Sequence, residues 1–290
     1  MKALYDVPAP AKLNLFLHVT GQRPDGMHLL QSVFMLIDWC DTLHFELRPA
    51  GALSREDLSR PLPEDDLVLR AARALQRASG CETGAHIYID KQLPEQAGMG
   101  GGSSDAATCL LALNRLWGLK LPLSALGAIG LTLGADVPFF LGGRNAWVEG
   151  IGELLTPVEL PAGRFAVVKP PQGLATAAIF GHPRLTRTSE PAIISGFAAS
   201  ARSDEWKFGR NDLQGVAQEL CPGISQALDW LDSQGLSGRM TGSGSAVFAP
   251  MEAGQALKDA PEGWSARACG NLEVHPLAGW APSDEISVGG

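Results

Sequence analysis

The chain has 290 residues, of which 45% are hydrophobic and 19% are charged, and its formal net charge is −8. This length and apolar content suffice for one large domain or two ordinary ones, and the absence of a basic stripe argues against a nucleic-acid-binding protein. The sequence shows no signal-peptide core and no apolar stretch of membrane-spanning length, so we expect a cytoplasmic protein that does not contact a membrane.

Residues 12–19 alternate strictly between two faces. The first face carries Leu13, Leu15, Leu17 and Val19, and the second carries Lys12, Asn14, Phe16 and His18. This period predicts a half-buried strand on which Lys12 and Asn14 lie side by side.

Further elements follow along the first half of the chain. β-Strands are predicted at residues 32–38, 42–48 and 85–91. Residues 65–79 have helical apolar spacing, and this helix should stop at Gly80. Cys109 lies in an apolar run and is predicted to pack in the core.

A run of glycines leads directly into a long apolar helix that ends at Gly118. It reads GMGGGSSDAA from residue 98, and residues 103–105 suit a helix cap. Glycine lets the backbone approach a ligand closely, and a helix start presents unpaired N–H groups at a positive dipole end. These features predict a phosphate-binding segment.

The glycine run has three alternative interpretations. A Walker loop needs Gly-Lys followed by Ser or Thr, and this chain contains no Gly-Lys pair. A dinucleotide fingerprint would need glycine in place of Ser103 and a strand directly before the loop, whereas the predicted strand ends near Lys91. On the residues alone, a flexible surface loop in front of a capped helix remains an alternative.

The rest of the chain predicts short elements without a regular βαβ rhythm. A helix at 123–133 leads into a loop at 134–140. Beyond residue 160 we predict a strand at 165–169, helices at 176–180, 211–220 and 224–234, a loop at 241–245 and a closing pair of strands. This order indicates an α+β protein in two lobes.

The glycine segment, with Pro94 four residues before Gly98, resembles the phosphate loop of the GHMP kinases. The N-terminal strand with its polar face and the glycine loop at 241–245 also match that superfamily. The resemblance implies a two-lobed fold with an N-terminal ATP-binding domain at 1–159, a C-terminal domain at 160–290 and an active site in the cleft between them. It also implies ATP and Mg²⁺ as cofactors.

A finer resemblance, to the diphosphocytidyl-methylerythritol kinases, covers nearly the whole chain. It is carried by PAKLNL from residue 10, GQRPDGMH from 21, LGADVPFF from 133, NDL from 211 and MTGSG from 240. The implied reaction is ATP-dependent phosphorylation of the 2-hydroxyl of 4-diphosphocytidyl-2-C-methyl-D-erythritol, on the non-mevalonate route to isoprenoid precursors. The implied partner is this small molecule, and the implied assembly is a monomer or a weak homodimer.

The resemblance also assigns roles to individual residues. Asp136 and Lys12 would be catalytic, Asn14 and His28 would contact the substrate, and Met27 and Phe180 would stack on the cytosine. The ATP-binding residues would be Pro94, Gly98, Met99, Gly100, Gly101, Gly102, Ser103 and Ser104. No protein ligand is assigned to Mg²⁺, whose coordination would come largely from the ATP phosphates.

Taken alone, each of these side chains has an ordinary alternative. Lys12 could be a solvated strand lysine, Asp136 a turn-forming aspartate, His28 an exposed loop histidine and Phe180 a core residue. Met27 departs from the family pattern, in which an aromatic residue usually precedes the histidine.

Three other functions are alternatives. Another GHMP small-molecule kinase, of the homoserine or mevalonate type, would share the ATP site, but residues 23–28 and 134–140 argue against it. A nucleotide-sensing protein without catalysis would not need both Lys12 and Asp136. A Rossmann oxidoreductase is a more distant possibility.

Overall fold

The computed structural model describes residues 2–49, 51–201, 206 and 208–284. The strands are β1 (Ala3–Gln22), β2 (His28–Arg48), β3 (Leu53–Asp57), β4 (Gly84–Asp90), β5 (Ala146–Glu149), β6 (Leu154–Pro157), β7 (Arg164–Lys169), β8 (Arg239–Met240), β9 (Val247–Met251) and β10 (Ser265–Gly270). The helices are α1 (Leu67–Ser79), α2 (Gly101–Leu116), α3 (Leu123–Leu131), α4 (Val137–Gly142), α5 (Thr176–Phe180), α6 (Ile194–Ala201), α7 (Gln214–Leu220) and α8 (Pro222–Asp232). In the part of the chain that the structure describes, no helix is long and apolar enough to cross a membrane.

Two sheets organise these elements. Strands β1 to β6 form the first sheet, in the order β3-β4-β2-β5-β6 with β1 paired to β2. The second sheet is antiparallel, in the order β10-β7-β9-β8. The α+β architecture is therefore confirmed. The predicted domain boundary between residues 159 and 160 stays a prediction; Leu277 and Ala281, near the described C-terminus, pack in the core of the first sheet.

The antiparallel hairpin of β1 and β2 is the central element of the first sheet. It pairs Ala3 with Glu46 at one end and Gln22 with His28 at the other. The sequence predicted two strands where β2 is a single one, because Cys40 and Asp41 continue the pairing with β1.

Both faces of this hairpin are covered. One face packs on helices α1 to α4 through residues such as Phe34 and Leu36. The other packs on the second sheet through Leu13, Leu15 and Phe16, which contact the cluster of β7 and β9. The expectation of a half-buried strand at 12–19 was wrong, since every residue in it is buried.

An irregularity in strand register breaks the predicted alternation. The pairing of β1 with β2 shifts between Asn14 and Leu17, as at a β-bulge. Phe16 therefore lies in the same cluster as Leu13 and Leu15 instead of sharing a face with Lys12.

The helices lie near the predicted positions, and two helix predictions and one strand prediction need correction. Helix α2 begins at Gly101 after Gly100, so residues 103–105 lie inside its first turn and do not cap it. The segment 134–140 is not wholly a loop, because α4 begins at Val137 with Pro138 in its first turn, where proline is well tolerated. The last two strands do not pair with each other, since β7 lies between β10 and β9.

Helix α2 packs in the centre of the core between the first sheet and its helices, so its apolar residues should contribute strongly to the free energy of unfolding. Leu110 is fully buried there, as is Cys109 beside it. We expect Leu110→Ala to lower the free energy of unfolding by about 2–5 kcal/mol, from lost burial and the cavity left behind. Chemical denaturation would measure this change.

The matched control is Leu131→Ala at the end of α3, where the side chain is 47% exposed. This change should stay within about 0.5 kcal/mol. Equal effects of the two substitutions would contradict the assignment of α2 to the core.

Candidate active site

A cleft of about 720 Å³ opens beside the β1–β2 hairpin. Its wall includes Lys12 and Asn14 of β1, the N-terminal ends of α1 and α2, and Asp136 before α4. Segments of the second lobe, around residues 174–180 and 242–244, complete it. The cleft thus brings together residues from both halves of the sequence.

Lys12 and Asp136 meet inside this cleft. The Lys12 Nζ lies 3.6 Å from Asp136 Oδ2, donates a hydrogen bond to Asn14 Oδ1 and lies 4.3 Å from the centre of the Phe34 ring. Burial lowers the pKa of Lys12, and Asp136 acts in the opposite direction. Asp136 is the N-cap residue of α4, but its side chain makes no capping bond, so its carboxylate faces Lys12.

Three hydrogen bonds fix Asn14, and the first is the one that its Oδ1 accepts from Lys12. Its side-chain amide donates to Ser32 Oγ at 2.9 Å, and its backbone N–H donates to Thr241 Oγ1 at 2.8 Å. The prediction that Lys12 and Asn14 lie side by side is confirmed. Thr241 had no functional signal in the sequence beyond the glycine loop that contains it.

The glycine segment packs closely against Lys12 and α4. Gly100 has a φ of 71°, and a Cβ there would lie 2.9 Å from the Phe140 ring and 3.3 Å from Lys12 Cγ. The backbone N–H of Lys12 donates to Met99 O at 3.0 Å. Only glycine fits at position 100, and the segment is held directly beside the Lys12–Asp136 pair.

The start of α2 forms the wall behind this pair. Gly101, Gly102 and Ser103 line the cleft, together with Pro94, Gly98, Met99 and Gly100. The first N–H groups of a helix have no partner within the helix, and the dipole there is positive. The cleft therefore offers a site for phosphate groups.

Ser104 differs from Ser103. It is fully buried and donates its hydroxyl to Pro10 O at 2.7 Å, and it does not line the cleft. The expectation that Ser104 touches a ligand is therefore not supported. The helix turns its side chain toward β1, where it anchors α2.

The two glycine loops are joined by backbone hydrogen bonds. Ser245 N donates to Gln96 O at 2.9 Å, and Ala246 N donates to Ala97 O at 3.2 Å. Asn211 supports the second loop from behind by donating to Met240 O and Gly242 O. A ligand held by one loop would therefore be near both.

Of the side chains expected to stack on or lie beside the base, Phe180 lines the same cleft. Phe180 ends α5 and lines the cleft, and the His28 ring stacks on it with 4.8 Å between centres and 30° between planes. Met27 lies in the turn between β1 and β2, with 47% exposure, and is not part of the cleft wall. The structure brings His28 and Phe180 together, and of the three residues only Phe180 is part of the cleft wall.

One buried cluster was missed by sequence reasoning. Lys91 Nζ donates to Asp41 and, at 2.6 Å, to Asp105 Oδ2 of α2. Asp41 also accepts from the backbone of Gln92 and Leu93, so the cluster joins β2, the end of β4 and α2 under the glycine segment. Burial raises the pKa of Asp105, against the effect of Lys91. The three residues are far apart in sequence, and no local pattern marks them.

These positions suit phosphoryl transfer. That reaction needs the attacking and leaving oxygens in line and positive groups to stabilise the charge on the transferred phosphoryl. A helix N-terminus, a buried ammonium and a carboxylate that makes no capping bond line one cleft, together with the aromatic ring of Phe180.

Comparison with known proteins gives matches in both halves of the chain. The model of the GHMP kinases N terminal domain matches residues 66–144, and that of the GHMP kinases C terminal region matches residues 192–267.

Full-length relatives are much closer. A 4-diphosphocytidyl-2-C-methyl-D-erythritol kinase of Albidiferax ferrireducens is 68% identical over 289 residues, covering 100% of this chain and 99% of the relative. A protein of the same name from Variovorax paradoxus is 66% identical over 295 residues, covering 97% of this chain and all of the relative.

Solved structures give the same result. The crystal structure of a 4-(cytidine 5'-diphospho)-2C-methyl-D-erythritol kinase is 32% identical, with a TM-score of 0.75 over 91% of this chain and 98% of that one. A homoserine kinase from Cytophaga hutchinsonii has a TM-score of 0.68 over 95% of this chain and 96% of that one, and at 15% identity this likeness shows the fold alone.

The glycine segment gives a direct test of the phosphate site. At Gly101, an added Cβ would meet only ordinary contacts, the nearest being Leu93 Cδ1 at 3.4 Å. We expect Gly101→Val to leave the protein folded and to weaken ATP binding at least about tenfold, because the side chain would occupy space needed by phosphate. Isothermal calorimetry would measure the affinity.

Gly127→Val on α3 is the matched control, since a Cβ there meets nothing within 4 Å and the residue lies outside the cleft wall. It should bind ATP normally. Unchanged ATP affinity in a folded Gly101→Val variant would rule out this segment as the phosphate site.

Proposed function

The chain belongs to the GHMP kinase family, and we propose that it transfers the terminal phosphoryl group of ATP to the 2-hydroxyl of 4-diphosphocytidyl-2-C-methyl-D-erythritol. The observation that carries this proposal is the 68% identity, along the full length, to a kinase named for that substrate. The protein is thus a phosphotransferase with an alcohol acceptor, acting on the non-mevalonate route to isoprenoid precursors. We also propose that it acts as a monomer or a weak homodimer, as the resemblance implies.

The Lys12–Asp136 pair is proposed as the reacting centre. The acceptor is a tertiary alcohol, which is crowded and weakly acidic, so a carboxylate beside its proton would assist attack. Asp136 is suited to orient or accept that proton because its oxygen is not consumed by helix capping. The Lys12 ammonium, 3.6 Å away, would steady the acceptor oxygen and offset charge on the phosphoryl group.

The glycine segment and the start of α2 are proposed to bind the ATP phosphates. The residues are Gly98, Met99, Gly100, Gly101, Gly102 and Ser103, with Pro94 beside them. Mg²⁺ belongs to the same proposal. Among the described residues no cluster of three His, Cys, Asp or Glu side chains could hold a metal ion. Oxygens of Ser103 and Asp136 line the cleft, and the ATP phosphates would supply most of the coordination. When bound, the ion would neutralise phosphate charge.

The runner-up acceptors are those of homoserine and mevalonate kinases, whose solved structures share this fold at 15% and 14% identity. A panel of the three alcohols with ATP would discriminate between them. Turnover confined to homoserine or mevalonate would overturn the proposed acceptor but not the assignment of kinase activity.

Removing the Asp136 carboxylate should slow phosphoryl transfer without weakening ATP binding. We expect Asp136→Asn to lower kcat by about 10²–10⁴-fold, the range for general-base assistance, with little change in ATP affinity. Steady-state kinetics together with ATP calorimetry would separate the two effects.

The control is Asp259→Asn, an exposed loop residue distant in sequence from the cleft wall. It should behave as the wild type. Near-normal turnover of the Asp136→Asn variant would disprove the mechanism.

We further propose that the cytosine stacks on Phe180 next to His28 and Asn14. Because the His28 ring already covers one face of Phe180, the base would use the other face or displace His28. For the Met27 thioether to cover the base as well, the turn that carries it would have to fold over the cleft.

Stacking on an aromatic ring is worth about 1–3 kcal/mol per base, and a sulfur–ring contact roughly 0.3–1.5 kcal/mol. Phe180→Ala should therefore raise KM for the cytidine substrate about tenfold or more, and Met27→Ala should raise it less. Initial-rate kinetics would measure both. If Phe180→Ala left KM unchanged in a folded enzyme, Phe180 would be a packing residue and the base site would lie elsewhere.

A further inference from the structure

Arg187 lies directly against the residues proposed to bind the base. Its guanidinium donates from Nε to His28 Nε2 at 3.1 Å. The same guanidinium donates to the backbone oxygens of Phe180 at 2.8 Å, His182 at 3.0 Å and Leu185 at 3.1 Å. Four directed hydrogen bonds fix this side chain, and neither its charge nor its contacts are used by the reacting centre.

The loop that carries Arg187 is itself anchored. Leu185 is buried, and Ser189 N donates to Val19 O of β1 at 2.9 Å. Ser189 Oγ also donates to Asp212 Oδ2 at 2.6 Å. The guanidinium is therefore held at a fixed position relative to β1 and the start of β2, where His28 lies.

The chemistry of the pair determines where the His28 proton is. A guanidinium has only donors and stays protonated in proteins, so the His28 Nε2 that it contacts must present its lone pair. Burial, and then the Arg187 charge, lower the pKa of His28. A neutral imidazole with a free lone pair on Nε2 carries its hydrogen on Nδ1.

That Nδ1–H is available to a ligand. Within the described part of the chain, the only hydrogen bond of the His28 ring is the one to Arg187. His28 is not itself part of the cleft wall, but its ring stacks on Phe180, which is, so a base that stacks on Phe180 would lie within reach of the His28 ring.

We propose that Arg187 is a positioning residue that holds His28 as the Nδ1–H tautomer, so that His28 recognises the pyrimidine by donating a hydrogen bond to a ring acceptor. This inference rests on the proposed function for the identity of the ligand. Cytosine presents N3 as an acceptor, whereas uracil carries a hydrogen there. A histidine that donates to N3 therefore favours cytosine, because at that position uracil would leave two donors facing each other.

The tautomer can be measured in the free protein, independently of activity. Nitrogen-15 NMR of the wild type, with His28 assigned by comparison with His28→Gln, should show a protonated Nδ1 and an unprotonated Nε2 above the pKa of His28. Arg187→Lys should keep this state, because an ammonium also only donates. Arg187→Met should lose the predominance of the Nδ1–H form. A wild-type His28 protonated on Nε2 would overturn the inference.

The consequence for recognition is measured with paired substrates that differ only in cytosine or uracil. Arg187→Met should reduce the preference for cytosine about three- to tenfold, the worth of one hydrogen bond, through KM for this substrate. The KM for ATP should not change, and Arg187→Lys should recover most of the preference. Unaltered base preference in a folded Arg187→Met variant would also overturn the proposal.

Arg184→Met is the matched control. Arg184 lies three residues away and pairs with Glu219 instead of His28, so both the tautomer and the base preference should stay as in the wild type. The NMR measurement and the activity assay distinguish failure of the proposed function from failure of the role of Arg187. An Nδ1–H tautomer in a protein that does not phosphorylate the cytidine substrate would refute the proposed function, while the opposite tautomer in an active enzyme would refute the role of Arg187.

Discussion

The active cleft depends on one buried ammonium group. Lys12 is only 4% exposed, and placing a charge there is costly unless it is paired and hydrogen-bonded. The surroundings supply a carboxylate, an amide oxygen and an aromatic face, from Asp136, Asn14 and Phe34. Each partner comes from a different part of the fold, so satisfying this charge requires β1, β2 and α4 to meet at one point. In the same arrangement the Asp136 side chain does not cap α4, and Asp136 lines the cleft.

The glycine segment is the second requirement, and it follows from the first. The segment packs so closely against Lys12 that the backbone N–H of Lys12 donates to Met99 O. A side chain at Gly100 would clash with both Lys12 and Phe140. The helix that starts there is anchored in the core by its apolar residues and under its first turns by Lys91, Asp41 and Asp105. A rigid helix start beside a fixed ammonium gives preorganised positive potential, which is the main contribution a protein makes to phosphoryl transfer.

Much of the fold was predictable because local patterns control it. The apolar period and the stop at Gly80 gave α1, the glycine run gave the start of α2 to within a few residues, and alternation placed Lys12 beside Asn14. The errors arise where tertiary contacts decide. Burial on both faces of β1 and the shift in its pairing depend on the second sheet, and the cluster of Lys91 joins residues that are 14 and 50 positions apart. No single-sequence period contains that information.

The two proposed binding sites differ in how they would recognise a ligand. The proposed phosphate site relies on backbone groups, and the sequence marks it strongly because only glycine permits the geometry. The proposed base site relies on side chains, with His28 held by an arginine 159 residues away and stacked on Phe180. Its properties depend on an orientation and a tautomer, neither of which leaves a pattern in the sequence. Backbone recognition of phosphate would suit kinases with different acceptors, while acceptor choice would rest on a few side-chain contacts.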